Sequence, residues 1–429
     1  MINGAIETAI FAVCLWLIFS ERLNRTIVAT AGATLMVGVG KLFGAYTEAE
    51  AVSAIDFNTL GLLLGMMILV ALLAPTGFFE YLAVQAGRFS QGKPLRLLVL
   101  LGTITTVLSM FLDNVTTVVL IAPVTILISE VLGLNPIPFL LSEALLSNTG
   151  GVATLVGDPP NVLIGSAAGL SFNDFLTHSL PVVSVAWLIA LVLLGYLFRK
   201  ELAILPQNIG TITSLDPAAT WNDKVTARRV LLVLAGALLL FLVQSQLNLT
   251  PAFIALGASA AAMVWVRPDL QETLKQVEWG VLIFFAALFV MVGGLETAGV
   301  LHSIVSLVEH AGHIPPVLFG VLTIWVVALL SAVVDNVPIT IACIPIIQGL
   351  GEAGMDIRPL WWALAFGAGF GGNGTIIGST ANIIVTTLSE RTRTPITALL
   401  WNRRGLPVML ATCTIASILF VLLFPMLSS

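Results

Sequence analysis

Apolar stretches long enough to cross a bilayer, roughly 20 residues each, follow one another along this chain with short polar turns between them. The pattern predicts spans over residues 4–20, 26–44, 57–75, 136–168 and 176–198, then over 230–246, 251–266, 279–295, a further interrupted span and 406–426. Two apolar stretches read differently. Residues 97–129 carry one charge, Asp113, followed by Asn114; residues 314–349 carry one charge, Asp335, followed by Asn336. Asp and Asn side chains compete for backbone hydrogen bonds and interrupt a helix. Each stretch is therefore expected to be a re-entrant hairpin, two half-spanning helices meeting at the Asp-Asn-Val tip. Irregular backbone at that depth persists only where it is buried or lines a cavity. Residues 76–89 mix Phe78, Phe79 and Tyr81 with Glu80, Gln85 and Arg88, which predicts an amphipathic connector on the inner surface. Residues 296–310 are its counterpart.

The pattern repeats. Asp335 follows Asp113 by 335 − 113 = 222, and each is followed ten residues on by a proline, Pro123 and Pro345. Gly150-Gly151-Val152-Ala153-Thr154-Leu155-Val156-Gly157-Asp158-Pro159-Pro160-Asn161 is echoed by Gly371-Gly372-Asn373-Gly374-Thr375-Ile376-Ile377-Gly378-Ser379-Thr380-Ala381-Asn382, with 378 − 157 = 221. These are breaks within spanning helices. Asp56 matches Glu278 and Gly77 matches Gly299, both at 222. Five full crossings and one hairpin in each half make the crossing number odd, so the halves must be inverted. The expected organisation is an all-α polytopic membrane protein: a first repeat over 1–200, a cytoplasmic linker over 201–229 and a second repeat over 230–429. Basic loops mark the cytoplasmic side. Arg22 and Arg25, the run Arg88, Lys93 and Arg96, and the four arginines of 391–404 fall on one face; Lys41 and Arg358 are isolated exceptions.

Composition narrows the class. The chain is 58% apolar and 10% charged, against roughly 25% charged in soluble domains. No basic cluster suggests nucleic acid. Cys14, Cys343 and Cys413 lie in apolar segments without metal-ligand spacing, so neither a disulfide framework nor a metal or cofactor site is expected. The first apolar run lacks a basic leader and a cleavage site and reads as a retained span.

An ionisable side chain at membrane depth is a functional candidate by default. Asp113 and Asp335 are read as substrate-binding residues, although a buried Asp also caps a half-helix. Asn114 and Asn336 both donate and accept, and Asn161 and Asn382 share that reading. Thr154 and Thr375 are matched hydroxyls, equally suited to ligand binding or to backbone bonding. Gly150, Gly151, Gly157, Gly371, Gly372 and Gly378 are expected to matter through backbone freedom and their amides and carbonyls. Asp158 faces Ser379 in the repeat, and Glu143 faces Leu364. Such unmatched acids are candidates for coupling to a cation, H+ or Na+, with Asp158 the stronger. Cys343 offers a thiol near Asp335, but a lone cysteine in an apolar helix packs as a small side chain.

Inverted repeats with paired broken helices point to a secondary transporter rather than an enzyme. The run Met110–Val115 followed by a proline, and Gly157-Asp158-Pro159-Pro160-Asn161, resemble the ion transporter superfamily. Its arsenite–antimonite efflux branch, which includes the melanosomal P protein, is the nearest likeness. More distantly the chain is similar to sodium-coupled dicarboxylate symporters, which have serine at the hairpin tip. The resemblance implies a scaffold plus a mobile domain, elevator-like alternation, a homodimer, a small inorganic substrate and, for some relatives, a partner ATPase. It places the chain in a bacterial inner membrane. Arsenite or antimonite export is the expectation, sodium–proton antiport the runner-up and cation-coupled carboxylate transport a third reading. An intramembrane aspartyl protease is the rival class, but the Gly-x-Gly-Asp pattern is absent at Leu155-Val156-Gly157-Asp158.

Overall fold

The computed structural model describes residues 2–19, 23–204, 206, 217–298, 315–392 and 394–428. The middle of the linker and most of the second connector therefore lie outside the described residues. The described elements are helical, and no strand occurs among them. Among the described residues seven helices are long and apolar enough to cross a membrane, and shorter apolar ones such as Pro94–Ser109 and Pro316–Ser331 supply the half-spans.

The helices fall into two packed groups. In the first, Phe57–Leu73 packs on Pro251–Val266, Arg25–Phe43 on Trp279–Thr297, and Ile2–Phe19 and Lys224–Leu247 complete the layer. In the second, Pro94–Ser109 packs on Ile137–Gly151, and its repeat counterpart Pro316–Ser331 packs on Arg358–Gly371. Asn114–Leu132 lies on Thr380–Ser389, as Asn336–Glu352 lies on Pro159–Ala168. Each half thus inserts its hairpin against the other half's broken helix. The long helices Leu180–Leu197 and Ala398–Leu422 pack together beside this group.

The two hairpins open on opposite faces. The base of the first meets the basic loop, where Thr394 Oγ1 donates to Asn135 Oδ1 at 3.1 Å. At the far face Trp362, beside the second hairpin's base, stacks on His178 with ring centroids 5.0 Å apart. The connector Phe78–Ser90 is helical and has the expected amphipathic character. Tyr81 packs on Trp221 at 4.4 Å, and the amide of Asp223 donates to the Thr76 carbonyl at 3.2 Å, so the end of the linker is stapled to it. Large apolar side chains such as Trp16, Leu42, Val192, Leu239, Val264 and Leu422 stay exposed on the outer faces, the surface a lipid environment covers.

Candidate substrate and coupling site

The hairpin tips are short. Met110–Asp113 separates the arms Pro94–Ser109 and Asn114–Leu132; Ala332–Asp335 separates Pro316–Ser331 and Asn336–Glu352. Each aspartate caps the outgoing arm. Asp113 accepts from the Thr116 amide at 2.8 Å, and Asp335 from the Val337 amide at 3.4 Å. A helix N-terminus leaves amides without partners and favours a carboxylate. Capping and lining are compatible here, because both aspartates also face the central cavity.

The breaks are built alike in the two halves. The amide nitrogen of Asn161 donates to the carbonyls of Gly151 (3.0 Å) and Thr154 (2.8 Å), and that of Asn382 to Gly372 (2.7 Å) and Thr375 (2.9 Å). The hydroxyl of Thr154 donates to the Met110 carbonyl, and that of Thr375 to the Ala332 carbonyl. Ser109 and Ser331 hydroxyls likewise donate across to the Ser147 and Ala368 carbonyls, at 2.8 and 2.7 Å. These bonds satisfy carbonyls that an interrupted helix leaves open. They also tie each break to its own hairpin tip. A Cβ on Gly157 would lie 2.6 Å from the Gly151 carbonyl oxygen, and one on Gly378 would lie 2.7 Å from that of Gly372. Only glycine permits that closure.

Between the tips lies a cavity of about 70 Å³, lined by Asp113, Asn114, Asp158, Asp335, Asn336 and Ser379 together with Arg25, Glu278 and apolar side chains including Phe284 and Phe285. A water needs roughly 10–15 Å³ by this measure, so several water-sized groups fit. The predicted residues thus divide. Asp113, Asn114, Asp335, Asn336 and Asp158 come together at the cavity. Thr154, Asn161, Thr375 and Asn382 stand behind it in the bracing contacts just described, and all six break glycines lie with them rather than on its lining. Glu143 is fully buried away from it, accepting from the Thr125 hydroxyl through one oxygen. Cys343 is also outside the lining. Among the described residues no group of His, Cys, Asp and Glu is placed to hold a metal ion.

Sequence reasoning missed four polar contributors. Arg25, read only as a marker of the inner face, reaches the cavity and pairs with Asp335 at 3.0 Å. Its guanidinium thus places a basic side chain against one of the two tip acids. Glu278 lines the same cavity and makes no capping bond with its side chain; its numerical match to Asp56 was the available signal. Asn148 and Asn373 form the third part. Asn148 accepts from Asn114 (3.0 Å) and from Ser379 (2.9 Å), and donates to Asn373 (3.1 Å) and Asn382 (2.9 Å).

That network is where the repeat symmetry fails. Asn336 donates to Asp158 at 2.9 Å; by symmetry Asn114 would donate to Ser379. Ser379 is shorter, and the Asn148 amide oxygen fills the gap. The twin of Asn148 is Gly369 (369 − 148 = 221), whose missing side chain leaves room for Val152. One half therefore presents an ionisable carboxyl where the other presents a neutral amide. Asp158 is 1% exposed, and its second oxygen has no hydrogen-bond partner among the described residues.

Residues 15–367 match the family described as "Citrate transporter". The chain belongs to that family. Its relatives include a 46 kDa membrane protein of Mycobacterium leprae, 37% identical over 97% of both chains. An uncharacterized transporter of Mycobacterium bovis is 36% identical over 97% of both. Human P protein is 33% identical over 96% of this chain, which spans 59% of that protein's length. In three dimensions the chain is similar to the YdaH transporter of Alcanivorax borkumensis, described as having an unusual topology. The TM-score is 0.65 at 16% identity, covering 94% of this chain and 99% of that one. At that identity the likeness concerns the fold. This member of the citrate transporter family is thus a multi-pass membrane transporter of the ion transporter superfamily, not an enzyme.

Proposed function

We propose that the chain exports arsenous or antimonous acid from the bacterial cytoplasm, coupled to a proton or sodium gradient, by elevator-like movement of the hairpin group past the other. The observation that carries this reading is the acidity of a small cavity. Four carboxyl groups (Asp113, Asp158, Glu278, Asp335) and one guanidinium line it. A dianion beside one of those carboxylates would meet repulsion of about 4 kcal/mol per charge pair at 4 Å and an effective dielectric of 20. Arg25 offsets little of that, because Asp335 already holds it. A neutral trihydroxide donates hydrogen bonds to Asp and Asn oxygens and accepts from amides without such repulsion. Asp158, the unmatched acid with an open oxygen, is the residue assigned to the coupling cation.

A second reading, sodium–proton exchange, is favoured by the same count of four acids. Citrate, the cargo named in the family description, is the third; a polycarboxylate in this cavity would require protonated aspartates. Growth of an efflux-deficient bacterial host expressing the chain on arsenite, antimonite and high-sodium plates separates them. Metalloid resistance with lowered cellular arsenic is expected. Sodium resistance with unchanged cellular arsenic would overturn the metalloid reading in favour of the exchanger.

A further inference from the structure

Asp113 and Asp335 are repeat twins, yet only Asp335 has a cation upon it among the described residues. Arg25 Nη1 lies 3.0 Å from Asp335 Oδ2, and Thr380 Oγ1 donates to the same oxygen at 2.7 Å. Thr380 belongs to the hairpin group, as Asp335 does. Arg25 belongs to the other group. It is the first residue of Arg25–Phe43, its guanidinium lies 5.4 Å from the centre of the Phe284 ring, and the neighbouring Thr26 hydroxyl donates to the Gly280 carbonyl at 2.9 Å. The repeat offers no second copy: Asn24 caps Arg25–Phe43, and the matching cap, Thr250, is followed by Pro251. A second cavity of about 280 Å³, which Leu23 and Ile18 also line, shares Arg25, Asp335 and Thr380 with the central one. The ion pair thus stands between the site and the chamber beside the basic face.

We propose that Arg25 is a tethered stand-in for the coupling cation: Arg25 and a cation held between Asp158 and Asp335 are alternative partners of Asp335. This rests on the cation-coupled reading above. The pair crosses the boundary between the two groups, so movement of the hairpin group must break it. Asp335 would then leave Arg25 behind and travel with a replacement positive charge. Arg25 is on this view a positioning residue that holds the empty site facing the basic side and is displaced as the site loads. An independent feature points to a cation in the same cavity: the buried Asp158 oxygen without a partner among the described residues. The charged groups that share the cavity with Asp335 are Arg25, Asp113, Asp158 and Glu278.

The test uses the purified full chain, with thermal unfolding followed against sodium at constant ionic strength made up with choline chloride, and separately against pH without sodium. Removing the competing guanidinium should tighten the site. Arg25→Gln is expected to lower the half-stabilising sodium concentration on the order of tenfold, or to move the pH midpoint of stabilisation about one unit toward alkaline. Arg25→Lys should give a smaller shift of the same sign, and it carries the test if Arg25→Gln does not fold. In an Asp335→Asn background neither substitution should shift anything further. A wild-type chain that responds to sodium or pH, with neither response altered by either Arg25 variant, would overturn the stand-in and leave cation coupling intact. A wild-type chain indifferent to both would overturn both.

Discussion

Asp158 is the residue at which the two halves differ most in chemistry. Its twin Ser379 bonds to Asn148, whereas Asp158 takes the Asn336 amide and keeps one oxygen open. A group that gains and loses a cation should be separable from one that shapes the substrate site. Asp158→Asn in proteoliposomes is expected to retain substrate exchange at equal concentrations while losing accumulation driven by a proton or sodium gradient; unaltered gradient-driven accumulation would assign coupling elsewhere. The bracing hydroxyls make a different prediction. Thr154→Val or Thr375→Val removes one donor from a tip carbonyl, at a cost of about 1–3 kcal/mol each for a buried group left open. The two should lower the unfolding temperature in detergent by similar amounts, since the bonds are equivalent. The tip acids were legible because each is alone in an apolar stretch and recurs at 222. Arg25 and Asn148 were not. Arg25 stands in a turn between two spans, and only tertiary packing carries it to Asp335. Asn148 sits in an apolar helix one turn before Val152 with no polar twin, so the repeat itself concealed it.

At the scale of elements, the breaks depend on backbone closeness more than on side-chain chemistry. Gly157 and Gly378 sit against carbonyl oxygens of their own broken helices and of Ser109 and Ser331 at the hairpin ends. Gly157→Ala and Gly378→Ala should therefore each impair folding, read as loss of the monodisperse peak on size exclusion in detergent. Gly236→Ala, where an added Cβ meets nothing within 4 Å, should leave that peak unchanged. Normal behaviour of both break variants would show that the loops close in some other way. The hairpins were readable in advance because Asp-Asn interrupts a helix, although the turn begins three residues and ends two residues before the expected Asp-Asn-Val tip. Helix resumes at Asn114 and Asn336, and the turn itself is Met110–Asp113 and Ala332–Asp335. The reason is capping: the aspartate carboxylate starts the outgoing arm rather than ending the incoming one.

For the whole molecule, the inverted repeat predicts that equivalent hairpin bases face opposite sides. Lys93→Cys, before the first hairpin, and Glu352→Cys, at the end of the second, are both exposed. They should react with an impermeant maleimide from opposite sides of the membrane. The present arrangement is itself unsymmetrical. At the face away from the basic loops, Asp56 accepts from the Ser166 hydroxyl at the far end of Pro159–Ala168. Its twin Glu278 instead lines the central cavity beside Arg25. The hairpin group is thus displaced toward the basic face. Inversion swaps the contacts in the alternate state: Glu278 would meet Thr387, the twin of Ser166 (387 − 166 = 221), and Asp56 would approach Asp335, the twin of the Asp113 that shares the cavity with Glu278. The most direct measurement is disulfide trapping in membranes of two paired variants, Asp56→Cys with Ser166→Cys and Glu278→Cys with Thr387→Cys. Alternation of one site between two inverted halves predicts that both pairs cross-link, each blocking transport until reduced. Cross-linking of the first pair alone, in a chain that transports, would contradict it.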